Sequence, residues 1–288
     1  MIAYYRPTTL AEALDIRASR DVTILAGGTD IYPARTARAG WGDFRHPDVL
    51  DISIVEDLEG IDETRDSFRF GAMVTWSALI EATLPSLFDG YKRASRAVGG
   101  MQVQNRGTLV GNICTASPAG DGIPNLLVLN AEMELASRDG GVRRLRLAEF
   151  ITGYRQTACR RDEIVTALFV PKLDAARSDF LKLGARAYLV ISIAMVAGVI
   201  ALDGGLIAQA RIAVGACSAV PRRLGSLEAA LVGQSVHDAA EIVEEAHLTD
   251  LAPIDDIRAS GAYRQAAALA LVRELLGNLA EAPERRVA

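Results

Sequence analysis

The stretch NRGTLVGNICTASPAGD, residues 105–121, and the shorter AGGTD, residues 26–30, decide how this 288-residue chain is read. A short apolar strand, Val22 to Ala26, runs directly into Gly27 and Gly28. Two adjacent glycines let the backbone turn tightly and leave its N–H groups uncovered by any Cβ. Such a bend can grip a phosphate through consecutive amides, or it can be no more than a tight turn after a strand. The longer stretch reads as a second glycine-containing loop. It combines Gly107, Gly111 and Asn112 for close approach with hydroxyls at Thr108, Thr115 and Ser117 as donors, and it ends in the carboxylate of Asp121, an acceptor for a ribose or adenine. Two such loops in one domain suit a dinucleotide, with two phosphates to hold.

Outward from these loops, the chain alternates helices and strands. Thr9 can cap a first helix, Glu12 completes a capping box, and Leu10, Ala13 and Leu14 form the apolar face. Strands are predicted at Val49 to Ile54 and Phe68 to Ala72, then a helix from Thr75 or Ser77 and a helical stretch from Leu87 to Val98. After the long loop, Ile123 to Ala131 reads as a buried helix with Pro124 in its first turn. Glu132 to Ser137 and Val142 to Leu145 suggest a hairpin around Asp139-Gly140, and Glu163 to Val170 a strand ended by Pro171. The polar run Lys172 to Asp179 reads as a linker, which divides the chain into residues 1–176 and 177–288. Beyond it, Phe180 to Leu183, Ser192 to Leu202 and Leu206 to Ala216 predict a small antiparallel sheet, with a turn at Asp203-Gly204-Gly205. Helices are expected at Ser226 to Val232, Val236 to Ala246 and Ala262 to Leu279.

Composition narrows the function. The length suggests two domains, and a chain half apolar and 23% charged can bury a core in each. A net charge of −5 offers no electrostatic footprint for nucleic acid or anionic lipid. The uncharged run Ala187 to Leu202 is too short for a membrane span and suits a buried strand. Cys114, Cys159 and Cys217 lie too far apart for a metal clip and are too few for an iron–sulfur cluster. With no apolar signal region at the N-terminus, these free thiols fit the cytoplasm. His46, His237 and His247 have no ligand partners at metal spacing and read as structural or solvated. No serine stands in a G-x-S-x-G elbow, no G-x-G-x-x-G follows a strand, and there is no phosphate-loop lysine motif. Side-chain catalysis has no signature here.

The AGGTD turn, the string GTLVGNICTASPAGD and the following IPNLLVLNAEMEL resemble the flavin-binding medium subunit of the molybdenum hydroxylases. That family contains xanthine, aldehyde and carbon monoxide dehydrogenases and bacterial N-heterocycle hydroxylases. The likeness extends through the YRPTTLAEAL opening, VLDIS at 49–53, FLKLG at 180–184 and AVPRRL at 219–224. It implies an α+β fold: a two-lobed vanillyl-alcohol-oxidase (PCMH)-type FAD-binding domain, then a small C-terminal domain of antiparallel sheet plus helices.

The resemblance also implies site residues. Ala26, Gly27, Gly28, Thr29, Asp30 and Ile31 would wrap the FAD pyrophosphate. Thr108, Gly111 and Asn112, with Thr115 and Ser117 beside them, would approach from the other side, and Asp121 would bond the ribose or adenine end. Val98 and Val165 would make apolar contacts, Lys182 would lie near the isoalloxazine, and Tyr188 near the same ring. No histidine occupies the first glycine loop, the attachment point in covalently flavinylated relatives, so noncovalent FAD is expected. The implied assembly is a dimer of heterotrimers, with a large molybdopterin-binding subunit and a small subunit carrying two [2Fe–2S] clusters, in which this chain passes electrons to an external acceptor. A purine or other N-heterocycle is the expected substrate of the whole, with an aldehyde or carbon monoxide as alternatives. A self-sufficient flavin oxidase and a non-catalytic FAD carrier are the competing readings. The arginines Arg143, Arg144, Arg146, Arg160 and Arg161 read as solvated hairpin and loop residues, or as partner contacts.

Overall fold

The computed structural model describes residues 3–43, 45 and 47–281, so the expectation for His46 lies outside the described residues. The first helix, Leu10–Ser19, starts where the sequence places it. Thr9 is extended, and its hydroxyl accepts the N–H of Glu12 at 3.3 Å. The Glu12 carboxylate turns to the N–H of Thr8, at 3.0 Å, so the reciprocal half of the capping box falls one residue early. This helix joins Tyr4–Tyr5 to Val22–Leu25, and both strands pair in parallel with Asp48–Asp51, which lies between them. The register sets Leu25 opposite Asp51 and delivers the Gly27-Gly28 bend at the strand's C-terminal end.

A second sheet is antiparallel, ordered Ile61–Glu63, Ser67–Gly71, Glu163–Pro171, Glu132–Ser137, Gly141–Arg146. Its central strand is buried from Glu163 through Val170, as a strand covered on both faces must be. On the strand beside it, Phe68 meets Phe88 edge-on and Phe70 meets it at a tilt, with centroids 5.1 and 5.5 Å apart.

A third sheet, Ala176–Leu183, Ala194–Asp203, Leu206–Gly215 and Arg222–Arg223, is antiparallel throughout. Its second strand resolves the long uncharged run. Met195, Ala197, Val199 and Ala201 face the core of the first two sheets, whereas Ala194, Val196 and Ile200 face a second core built with the helix Gly261–Glu281. A period-2 strand buried on both faces needs no polar residue, so the run is strand and not membrane helix. Among the described residues no helix is long and apolar enough to cross a membrane. Gly198 leaves room for the side chains of that helix, since a Cβ there would stand 2.4 Å from Leu275 Cδ2.

Three expectations need correction, and one helix was not expected. The Lys172 to Asp179 linker is shorter than read, because Ala176 already pairs with Ala201. Asn105 to Asp121 is not one loop: Met101–Arg106 and Leu109–Thr115 are helical, and Thr108 caps the second. Val236 to Ala246 is not a helix. The N–H groups of Asp238 and Glu241 bond three residues back, and Glu244, extended, caps the short turn Glu245–Leu248 with the Nδ1 of His247 accepting its N–H at 3.0 Å. The helix Ile31–Gly40, not expected from the sequence, follows the first bend.

Leu275 is fully buried under Gly198. Leu275→Ala is expected to cost about 2–5 kcal/mol, read by denaturant unfolding. A loss under 1 kcal/mol would show that the helix does not close the second core.

Candidate functional site

The two bends meet. A Cβ built on Gly27 would lie 1.9 Å from the carbonyl oxygen of Arg106 and 3.0 Å from the Cα of Gly107, so only glycine fits. Gly28 adopts φ +75°, a left-handed backbone that glycine reaches without strain, and Tyr32 packs across it. Among the described residues, no acceptor is supplied to the N–H groups of Gly27 through Ile31, the first intrachain bond beyond them being Tyr32 N–H to the Gly28 carbonyl at 3.2 Å. A run of bare amides at a glycine bend attracts an anion.

The second bend is braced from beneath. Trp76 N–H donates to the Gly107 carbonyl at 3.2 Å and Leu109 N–H to the Val74 carbonyl at 2.9 Å. Thr108 Oγ1 accepts the Gly111 N–H at 3.0 Å, which leaves its own proton to give. Thr115 donates to the Gly111 carbonyl at 3.0 Å, so its hydroxyl proton serves the helix and is not aimed outward as expected. The Asn112 Oδ1 is buried without a hydrogen-bond partner, and it sits where Gly120 and Gly122 lack a Cβ, 3.5 and 2.8 Å from the positions those atoms would take.

Between the bends lies a cavity of about 620 Å³. Its wall includes Ala26, Gly27, Gly28, Thr29, Asp30, Ile31, Val98, Thr108, Gly111, Asn112, Thr115 and Val165, so twelve of the residues singled out in the sequence share one space. Ser117, Asp121, Lys182 and Tyr188 are not on that wall. Ser117 turns the chain, its Oγ accepting the Ala119 N–H at 3.3 Å, and Tyr188 is 77% exposed. Asp121 is buried and already satisfied: Lys182 Nζ lies 2.6 Å from one carboxylate oxygen and Ser192 Oγ 2.6 Å from the other. Burial pushes its carboxyl above the usual range, against the downward pull of Lys182 and of both hydrogen bonds. Lys182 Nζ also reaches the Ala97 carbonyl at 3.5 Å, next to Val98 in the wall.

Sequence reasoning missed Arg17, Trp76, Cys114, Cys159, Arg160, Arg161 and Ile164, which also line the wall. Arg161 pairs with Asp21 at 3.3 Å, whereas Arg160 is tied there through Glu163. Arg143 grips that carboxylate at 2.6 and 2.9 Å, and the Arg160 N–H donates to it at 2.6 Å. Burial raises the Glu163 carboxyl, but these donors hold it below its ordinary value. Arg143 is thus an anchor and not a solvated residue, while Arg144 pairs with Glu134 and stacks 3.4 Å over Phe169. Among the described residues no group of His, Cys, Asp and Glu could hold a metal ion, and no histidine touches the cavity.

Residues 1–173 match the family described as the FAD binding domain in molybdopterin dehydrogenase, and residues 179–279 match the CO dehydrogenase flavoprotein C-terminal domain. A xanthine dehydrogenase FAD-binding subunit of Escherichia coli O157:H7 is 29% identical, over 91% of this chain and 90% of that protein. The medium subunit of nicotine 6-hydroxylase from Paenarthrobacter nicotinovorans is also 29% identical, over 96% of each chain. Among solved structures, quinoline 2-oxidoreductase from Pseudomonas putida 86 superposes with a TM-score of 0.85 at 25% identity, covering 98% of this chain and 97% of the other.

Gly27→Ala must drive the two bends apart and is expected to lower the melting temperature by several degrees. Gly40→Ala, with no atom within 4 Å of the new methyl, should leave it unchanged or slightly raised. Equal melting temperatures for the two variants would show that the bends do not touch. Asp121→Asn strands a buried ammonium and should cost about 3–5 kcal/mol by denaturant unfolding, whereas Asp121→Asn with Lys182→Met should recover most of that loss. No recovery in the double variant would refute a direct pair.

Proposed function

Because this chain belongs to the family of FAD-binding domains of molybdopterin dehydrogenases, we propose that its cavity holds noncovalent FAD with the pyrophosphate between the two glycine bends. The contact of Gly27 with the Arg106 carbonyl carries this reading, because it builds one cleft from two anion-seeking backbone segments. The amides of Ala26 to Ile31 hold the phosphates from one side, and the Thr108 hydroxyl, Gly111 and Asn112 meet them from the other. Val98 and Val165, both in the cavity wall, give the ring systems apolar surface. Asp121 and Lys182 act behind the wall: their ion pair fixes the Ala97 carbonyl and with it Val98. We assign the exposed Tyr188 to the outer side of the flavin ring.

When bound, FAD accepts electrons and releases them singly or as a hydride. The chain's own groups bind and orient it, and no described histidine stands in the cavity to exchange a proton with an organic substrate. That fits the FAD-carrying medium subunit of a molybdenum hydroxylase, with a large molybdopterin subunit and a small iron–sulfur subunit as partners. We assign the whole a dimer of heterotrimers, and for its substrate an N-heterocycle, a class that the names of the nicotine and quinoline relatives suggest. We keep the domain boundary at 176/177, give the first two lobes the PCMH-type topology, and take the three free thiols to suit the cytoplasm.

The test is purification of the chain alone. It should be yellow, release all colour on acid precipitation and oxidise no N-heterocycle, whereas the assembled complex should. A pellet that stays yellow would contradict noncovalent binding, and heterocycle turnover by the lone chain would contradict the division of labour.

A further inference from the structure

Three arginines in the cavity wall, Arg17, Arg160 and Arg161, have no part in the phosphate grip assigned to the glycine bends. Among the described residues that wall holds one carboxylate, Asp30, in a chain whose net charge is −5. The cavity is therefore cationic within an acidic protein, which suits a ligand carrying phosphates. Two of the three guanidiniums are already committed. Arg17 Nη1 donates to the Val22 carbonyl at 2.7 Å, and its Nε donates to the Glu163 carbonyl at 3.3 Å. Arg161 pairs with Asp21 at 3.3 Å. Arg160 differs from both. Its backbone N–H is fixed by the Glu163 carboxylate at 2.6 Å, yet among the described residues no hydrogen bond or ion pair holds its guanidinium, whose charge acts on Glu163 only through space.

These arginines mark one end of the cavity. The wall follows the strand Val22–Leu25 through Thr23, Ile24 and Ala26 into the Gly27-Gly28 bend. A strand rises about 3.3 Å per residue, so the Val22 carbonyl held by Arg17 lies roughly 13 Å before Ala26. Glu163 brings Arg160 to the same end, because its carbonyl accepts from Arg17 and its carboxylate from the Arg160 N–H. Val103, by contrast, sits on the helix that abuts the bend. The Gly107 N–H donates to the Val103 carbonyl at 2.6 Å, and a Cβ on Gly107 would stand 3.3 Å from Thr29 Oγ1. An anion pinned by the bend amides is thus a strand's length from the Arg17 guanidinium. The ligand group at the arginine end is the one beyond the phosphates.

We propose that Arg160 lays its guanidinium against the adenine ring of FAD and so makes the site choose the dinucleotide over the flavin mononucleotide. This deepens the reading of the cavity as an FAD site and rests on it. In that reading Lys182 and Val98 belong to the flavin end, and the adenosine half is what remains for the strand end. A guanidinium is planar and weakly hydrated and stacks on flat π systems, a contact that a compact, strongly hydrated ammonium reproduces poorly. Ile24 and Ile164, in the wall beside it, give the base apolar surface. Arg17 on two carbonyls and Arg143 on the Glu163 carboxylate hold the backbone around Arg160 in place. They are the support, and Arg160 is the contact.

The full chain, freed of flavin, is titrated with FAD, FMN and ADP as separate probes, the flavins followed by fluorescence and ADP by calorimetry. The parent is compared with Arg160→Ala, Arg160→Lys and Arg161→Ala. Melting temperatures of the flavin-free variants should match the parent, since the Arg160 side chain is exposed and bonds nothing in the fold. Arg160→Ala should weaken FAD and ADP about ten-fold and leave FMN within about two-fold. Arg160→Lys should stay nearer to Arg160→Ala than to the parent, and Arg161→Ala, whose charge is spent on Asp21, should change FAD binding by less than about three-fold. Unchanged FAD binding in Arg160→Ala overturns the proposal. So does equal weakening of FAD and FMN, which would give Arg160 to the phosphates, or a loss confined to FMN, which would put the flavin at the arginine end. Full recovery in Arg160→Lys, or an equal loss in Arg161→Ala, would reduce the contact to charge and overturns it as well. A parent that binds none of the three probes overturns the cofactor reading and this proposal with it, whereas the other outcomes overturn the proposal alone.

Discussion

The carbonyl of Arg106 stands where any side chain on residue 27 would have to be. That one backbone-to-backbone approach joins a parallel sheet built from the first fifty residues to a helical segment eighty residues later. The strand Val22–Leu25 is held in register against Asp48–Asp51, so it points the first bend at a fixed place. The helix Met101–Arg106 ends at Gly107, and bonds from Trp76 and to Val74 tie the second bend to the same place from below. A cleft with uncovered amides on one side and a capped helix on the other follows from those two constraints. No catalytic side chain is required to make it.

The third sheet links this cleft to the rest of the molecule. Its apolar strand Ala194–Asp203 gives alternate residues to two cores, so the C-terminal helix and the cofactor lobe are packed through one layer. The buried pair of Asp121 and Lys182 crosses the same boundary, from the first turn of Gly122–Val128 to the strand Ala176–Leu183. A buried ion pair contributes little net stability, since desolvation offsets its attraction. Its effect here is positional: Lys182 can touch the Ala97 carbonyl only if both lobes hold their relative places.

What could be read directly from the chain was local. Gly27 and Gly28 announce a tight turn because few other residues tolerate one, and Thr9 announces a helix start because a hydroxyl satisfies a free amide. The run before Leu202 reads as strand because it is too short to span a bilayer. What stayed hidden depends on distant partners. Asp121 looks like a free ligand until Lys182, 61 residues away, is seen to occupy it. Arg160 stands at the cavity wall beside Glu163, which Arg143 grips across the sheet, and Arg161 stands there paired with Asp21. Val236, Ala239 and Val243 have helical spacing, yet they are buried by successive tight turns that place the same residues inward. Ile31–Gly40 carries no apolar stripe of its own, so periodicity could not find it.

The most direct measurement is a crystal structure of the purified chain grown with FAD. The account predicts pyrophosphate oxygens within hydrogen-bond reach of the amides between Gly27 and Ile31 and of the Thr108 hydroxyl. FAD bound elsewhere, with both bends facing open solvent, would contradict it.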